Sequence, residues 1–179
     1  MSVGQLVLNY IEAGDHRVMN RMHSWRAPRW IRLWMLFATR GGDGWLWYSL
    51  CLLLLIFGGD GRFIAVGAAA IASSLGIALF LFLKRAFGRK RPCHIQPHCW
   101  ATLLPPDRFS FPSGHTISAF AVAVPLVIVY PVLLLPLSFA AISVAMSRVV
   151  LGMHFLSDVL AGIALGGLLG FISYTVLAA

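Results

Sequence analysis

Acidic residues are what this chain has least of. Among its 179 residues only Glu12, Asp15, Asp43, Asp60, Asp107 and Asp158 are acidic, against 14 lysines and arginines. Charged side chains of both signs make up 11% of the chain, about half the share usual in soluble domains. With 59% hydrophobic residues, so little charge excludes an ordinary water-soluble domain and asks for lipid as the solvent. The net charge of +8 does not point to nucleic acid. The basic residues sit beside apolar runs and no nucleic-acid motif is present, so the expected anion is a lipid or a phosphate. Cysteine is scarce as well, with 3 in the chain. Cys51 lies inside an apolar run and reads as packing. Cys93 and Cys99 flank the polar "HIQPH", where a disulfide fits an oxidising compartment. Four metal-ligand side chains lie there too, but their spacing is not that of a common zinc site, and no metal is expected. Met1 is followed by no basic segment, and the first charges are Glu12 and Asp15, so no cleavable signal peptide is expected.

What is abundant is uncharged length. Ile64 to Leu83 and Val159 to Ala179 are each long enough for one membrane crossing at about 1.5 Å per residue. Ile117 to Ser147 is too long for one crossing, and Pro131 divides it into two. The chain is predicted to be a single all-α domain over 1–179. It has six transmembrane helices near 26–40, 44–59, 62–86, 113–130, 132–149 and 154–178, a core of 26–179. Residues 1–24 precede them as an amphipathic surface helix. "GGDG" occurs at 41–44 and 58–61, where glycine permits sharp turns between spans. The six tryptophans fall near span ends, as an interfacial belt does. Gly162, Gly166 and Gly170 share one helix face and predict close helix packing.

Parity then matters. In such a layout the end of the third span, the start of the fourth, the end of the fifth and the start of the sixth lie on one side. Those four ends carry "KRAFGRKRP", "FPSGH", "SR" and "HFLSD". Lys84 and Arg91 in the first offer a point charge and a planar fork, suited to a phosphate dianion, although a basic patch also anchors helix ends at headgroups. Ser113 and Gly114 stand at a helix start, where free N–H groups and a bare glycine backbone admit an anion; the plain alternative is a helix cap. His115, beside them, is placed to donate a proton. Arg148 either snorkels or binds an anion. Asp158 stands one helical turn after His154, where its carboxylate can hold one ring nitrogen protonated and leave the other free as nucleophile or base.

K-x6-RP, then PSGH, then SR-x5-H-x3-D, in that order, resemble the type 2 phosphatidic acid phosphatase superfamily of integral membrane lipid phosphatases. All three signatures are complete. The resemblance implies a phosphatase that needs no cofactor and no metal. It makes His154 the nucleophile that forms a phosphohistidine, Asp158 its orienting partner, and His115 the proton donor to the leaving oxygen. Lys84, Arg91, Ser113, Gly114 and Arg148 become the phosphoryl-oxygen ligands. Such assignments agree with phosphoryl-transfer chemistry, in which positioned cations and N–H dipoles stabilise charge on three oxygens.

The implied substrate is a membrane lipid phosphate or pyrophosphate of the undecaprenyl pyrophosphate, phosphatidylglycerol phosphate or phosphatidate type, or a lipid A phosphate. The residues do not choose among them. Capture of the phosphoryl group by a lipid hydroxyl, making the protein a phosphotransferase, is equally compatible. A non-enzymatic lipid carrier fits less well, because the polar groups cluster at span ends and no inverted repeat is visible. Charge counting leaves orientation open. Arg17, Arg21, Arg26, Arg29, Arg32 and Arg62 would face one side; Arg40, Lys84, Arg85, Arg89, Lys90, Arg91, Arg108 and Arg148 would face the other. The resemblance implies a bacterial cytoplasmic membrane, both termini in the cytoplasm and the site facing the periplasm or exterior. Oligomeric state is not legible.

Overall fold

The structure, a computed structural model, describes residues 2–95 and 107–179. The described residues form helices α1 (Val3–Ser24), α2 (Arg29–Gly41), α3 (Trp45–Phe57), α4 (Arg62–Phe87), the single turn α5 (Pro92–Ile95), α6 (Gly114–Val129), α7 (Leu134–Val150) and α8 (Leu156–Ala178), with a 3-10 turn at Pro131–Leu133. No strand occurs among them; one antiparallel bridge joins Lys90 to Phe109.

α4, α6 and α8 make the central trio, with α7 flanking α6 and α2 lying against α7. Small residues let the trio approach closely. Ala65, Ala68, Ala69, Ala72 and Gly76 are the buried face of α4. On α8, a Cβ added at Gly166 would stand 2.4 Å from the Ile117 carbonyl oxygen, and one at Gly162 would stand 2.9 Å from Thr116 Cβ. The close packing expected of this glycine face is therefore present. Outside the trio, the chain turns its apolar side chains outward: Leu52, Phe57, Phe63, Phe82, Phe139 and Phe171 are all exposed. Three helices are long and apolar enough to cross a bilayer, Arg62–Phe87, Pro131–Val150 and Leu156–Ala178, while α3 and α6 are shorter apolar helices. An apolar exterior of this extent belongs to an integral membrane protein.

Pro131 breaks the long apolar run as expected, with α6 ending at Val129 and α7 starting at Leu134. The first expected span, 26–40, behaves differently. At the end of α2, Thr39 accepts a hydrogen bond from Arg148, and the following Asp43 meets His115. Midway along it, Met35 clusters with Val150, Leu151 and Met153, flanked by Ile31 and Trp34. α1 reaches the same end of the molecule, where its Asp15 bonds to Ser157 and Arg89. Only Trp25–Pro28 separate α1 from α2, a reach of about 18 Å at most. α2 has 13 residues, about 20 Å of helix; its C-terminal end lies with the polar motifs, and Trp34 stacks on Phe139 nearer the start of α7. It packs against α7, with Trp30, Leu33 and Phe37 exposed on its other side. Arg17 and Arg21 of α1 line the same cleft as Leu156 and Ser157, at the end that carries the motifs and not opposite it as expected. The convergence of the four motif-bearing ends does not depend on α2.

Candidate active site

Two short stretches of chain bring the motifs together. α4 ends at Gly88, whose left-handed φ of +58° lets the backbone reverse there. The following residues pair with 109–110: Ser110 N–H donates to the Arg89 carbonyl at 2.8 Å. After α7, Gly152 turns the chain with φ +67°, and the N–H groups of Met153 and His154 both donate to the Arg148 carbonyl at 3.0 Å. Ser113 N–H donates to the Asp158 carbonyl at 3.2 Å, which ties the start of α6 to the first turn of α8.

His154 lies in the turn between α7 and α8 and is 2% exposed. Its Nε2 is 2.9 Å from Arg91 Nη1. A guanidinium can only donate, so Nε2 is the acceptor and the ring proton sits on Nδ1. The ring lone pair is thus on Nε2, where it accepts from Arg91. Burial first, then the charges of Arg148, Arg91 and Lys84, hold the His154 pKa well below 6.5. Asp158 is where the spacing placed it, with Oδ2 at 3.6 Å from His154 Nδ1, but Nδ1 makes no hydrogen bond. The Asp158 carboxylate instead accepts from Phe155 N–H at 2.9 Å and from Arg89 Nη1 at 2.7 Å.

The cations converge as expected. Lys84, Arg91 and Arg148 are all buried beside His154. Arg148 donates to Thr39 through Nη1, while its buried Nε has no partner. Lys84 and Arg91 share Asp107, with Lys84 Nζ at 2.6 Å from Oδ2 and Arg91 Nη2 at 2.7 Å from Oδ1. Burial would raise the Asp107 pKa, but its bonds to Lys84 and Arg91 outweigh that and hold it below the ordinary value. Ser113 is fully buried, and its hydroxyl caps nothing; it accepts from Thr116 Oγ1 at 2.9 Å. Gly114 follows at the start of α6, so close to Phe80 that an added Cβ would meet the ring at 3.2 Å. His115 points its Nε2 at Asp43 Oδ1, 2.8 Å away. All eight expected side chains or backbone positions thus lie at one end of the helix bundle.

The partners that sequence reading missed are Thr39, Asp43, Arg89, Asp107, Ser157 and Asp15. The scarcity of acid was the available signal. Of six acidic residues, Asp15, Asp43, Asp107 and Asp158 all contact this site. A carboxylate kept in so apolar a chain has a cation or a histidine to hold. Cys93 is partly buried, and Cys99, its expected partner, lies outside the described residues. Among the described residues no group of three His, Cys, Asp or Glu side chains is disposed to hold a metal ion.

Comparison with known proteins agrees with this constellation. The chain is 32% identical over 148 residues to lipid A 1-phosphatase of Rhizobium etli, covering 71% of this chain and 62% of that relative's length. It is 33% identical over 137 residues to decaprenylphosphoryl-5-phosphoribose phosphatase of Mycobacterium tuberculosis, covering 72% and 69% respectively. In three dimensions it superimposes on the transmembrane PAP2-type phosphatidylglycerolphosphate phosphatase of Bacillus subtilis with a TM-score of 0.74 and 27% identity, over 94% of this chain and 86% of that one. The signature of the PAP2 superfamily matches residues 63–179, from the start of α4 to the end of α8, and the chain belongs to that superfamily.

Proposed function

We propose that the protein is a membrane lipid phosphatase acting through a phosphohistidine. The observation that carries this reading is the unprotonated Nε2 of His154, which accepts from Arg91 Nη1 at 2.9 Å with Lys84 and Arg148 buried close by. A phosphoryl group on those three cations would take over the Arg91 donor and meet the released Nε2 lone pair in line. Nε2 attacks phosphorus, the bond from phosphorus to the lipid oxygen breaks, and His115 gives that oxygen its proton. Water then attacks the phosphohistidine, His115 takes up the water proton, and phosphate leaves. Asp158 stabilises the charge on the His154 ring, and Ser113 and Gly114 offer the N-terminus of α6 to the phosphoryl oxygens. The three cations supply the electrostatic stabilisation that this chemistry needs, so activity is expected to survive chelation.

A lipid is favoured over a soluble phosphate ester by what lies next to His115. A cavity of about 380 Å³ runs between α3, α4 and α6, walled by Trp47, Leu52, Leu55, Val66, Ile77 and Val122. Its polar end is formed by Gly44, next to the His115 partner Asp43, and by Ser118, one turn along α6 from His115. An acyl or prenyl chain in that groove would bring its phosphate to the cations. Undecaprenyl pyrophosphate, phosphatidylglycerol phosphate, phosphatidate and lipid A phosphates all offer this combination.

The crossing helices of this reading include α4, α7 and α8 with the shorter apolar α3 and α6, while α1 lies at the interface on the catalytic side, where its Asp15 meets Ser157 and Arg89. Family resemblance implies that this side faces the periplasm or exterior. Labelling a single cysteine at Asp60, at the opposite end of the bundle, with a membrane-impermeant reagent in intact cells tests it: labelling there refutes the outward-facing site.

Phosphate release by purified protein over a panel of lipid phosphates and pyrophosphates, with and without chelator, tests the activity. His154→Ala and His115→Ala are expected to abolish release. Full activity in both variants would refute the assignment. Phosphate appearing on an added lipid alcohol instead of in solution would make the enzyme a phosphotransferase using the same site.

A further inference from the structure

Asp158 orients the nucleophile in the proposed mechanism, yet it makes no hydrogen bond to His154. Besides Phe155 N–H on Oδ2, what holds it is a ring of polar groups that reaches the N-terminal helix. Arg89 Nη1 donates to Asp158 Oδ1 and to Ser157 Oγ, both at 2.7 Å. Arg89 Nη2 donates to Asp15 Oδ2 at 2.7 Å. Asp15 closes the ring by accepting Ser157 N–H on Oδ1 at 2.9 Å and the Ser157 hydroxyl on Oδ2. Asp15 is 4% exposed and Asp158 fully buried, so neither carboxylate has water as an alternative partner. Phe155, immediately after His154, has two ring contacts. The Arg89 guanidinium stacks 4.2 Å above its ring, and His16 of α1 meets it edge-on at 5.6 Å.

We infer that Asp15 is a positioning residue for catalysis: it fixes Arg89 and the first turn of α8, and through them the Asp158 carboxylate against the His154 ring. The inference rests on the reading of His154 as nucleophile. Asp15 lies outside residues 63–179, the segment that carries the superfamily signature, so the ring joins the shared core to a helix that the signature does not include. Chemistry explains why an aspartate is needed. Arg89 sits between two carboxylates, and its fork can face Asp158 in one orientation only if the other arm is held. Ser157 N–H is one of the free donors at the start of α8, and Asp15 satisfies it from another helix, as a capping residue would from within. Without Asp15, the arginine is free to swing and pull Asp158 off the Nδ1 side of His154.

The test is a double-mutant cycle on phosphate release, using the panel lipid that the wild-type protein hydrolyses fastest. Asp15→Asn is expected to lower kcat about ten- to a hundredfold, the range seen when a group orienting a directly acting residue is lost, with KM unchanged. Asp15→Glu, which keeps the charge, is expected to recover part of that loss. In an Asp158→Asn background Asp15→Asn is expected to cause no further fall, because its route to His154 is already cut. Ser157→Ala, which removes the hydroxyl but keeps the backbone bond to Asp15, gives a smaller loss with the same non-additivity and serves if Asp15→Asn fails to fold. Unchanged kcat in Asp15→Asn, or in Ser157→Ala where that variant serves in its place, overturns the inference; so does an equal fold-loss in both backgrounds. A wild-type protein inert on every lipid would instead sink the phosphatase reading.

Discussion

Gly166→Ala is the sharpest test of the packing that builds the site. The added Cβ would stand 2.4 Å from the Ile117 carbonyl oxygen, 3.0 Å from Ile117 Cα and 3.1 Å from its carbonyl carbon. All three atoms are backbone of α6, so no side chain can rotate away. Restoring ordinary contact means separating α8 from α6 by about 1 Å, and overpacking of that kind costs about 1–3 kcal/mol. Gly167, the next residue, has nothing within 4 Å of its own added Cβ. Gly167→Ala removes a flexible residue without a clash and is expected to be neutral or stabilising by about 0.4–1 kcal/mol. Thermal unfolding in detergent compares the two. Gly166→Ala is expected to melt lower than Gly167→Ala, by about 2–4 °C for each kcal/mol between them. Activity adds a second readout. α6 and α8 meet at the site through the bond from Ser113 N–H to the Asp158 carbonyl, and a 1 Å misplacement of reacting groups costs up to about a hundredfold in rate. If Gly166→Ala melts with or above Gly167→Ala, the contact between α6 and α8 is not as described, and the derivation of the site from it fails.

Asp107→Asn removes the carboxylate that occupies Lys84 and Arg91. A unit charge about 6 Å away in a half-solvated site is worth about 1 kcal/mol. Inorganic phosphate is therefore expected to inhibit the variant about fivefold more tightly; weaker inhibition would show that Asp107 aims the two cations instead of competing for them. His154 has its pKa held well below 6.5 by burial and by Arg148, Arg91 and Lys84. Its free base is thus present through neutral and mildly acid pH, and kcat/KM measured from pH 8 down to 6 should show no acid loss assignable to this group. The stability it confers has the matching sign: complete above the unfolded pKa near 6.5, and lost as pH falls from there toward the folded value, which unfolding midpoints measured across that range will report. Asp43→Asn removes the partner of His115. It is expected to lower kcat about tenfold or more while leaving KM unchanged, since proton transfer and not lipid binding is impaired.

The chemistry of this protein is written locally, and local patterns are what a sequence displays. Lys84 and Arg91, Ser113 to His115, and Arg148, His154 and Asp158 sit in three short motifs, and parity along apolar runs was enough to bring them to one side. The glycine face of α8 was equally legible, because residues four apart share one face of any helix. The partners were not. Asp15 meets Ser157 across the fold, Asp43 meets His115, and Asp107 meets Lys84, pairings that no periodicity encodes. Only the packed helices decided that Asp158 turns to Arg89 before His154. The place of α2 was likewise decided by packing. Its Met35 is buried against Leu151 and Met153 while Trp30, Leu33 and Phe37 stay exposed, a division between protein and surroundings that composition does not show. Apolar residues record a need to leave water; whether lipid or protein meets that need is settled by which surfaces the fold brings within reach.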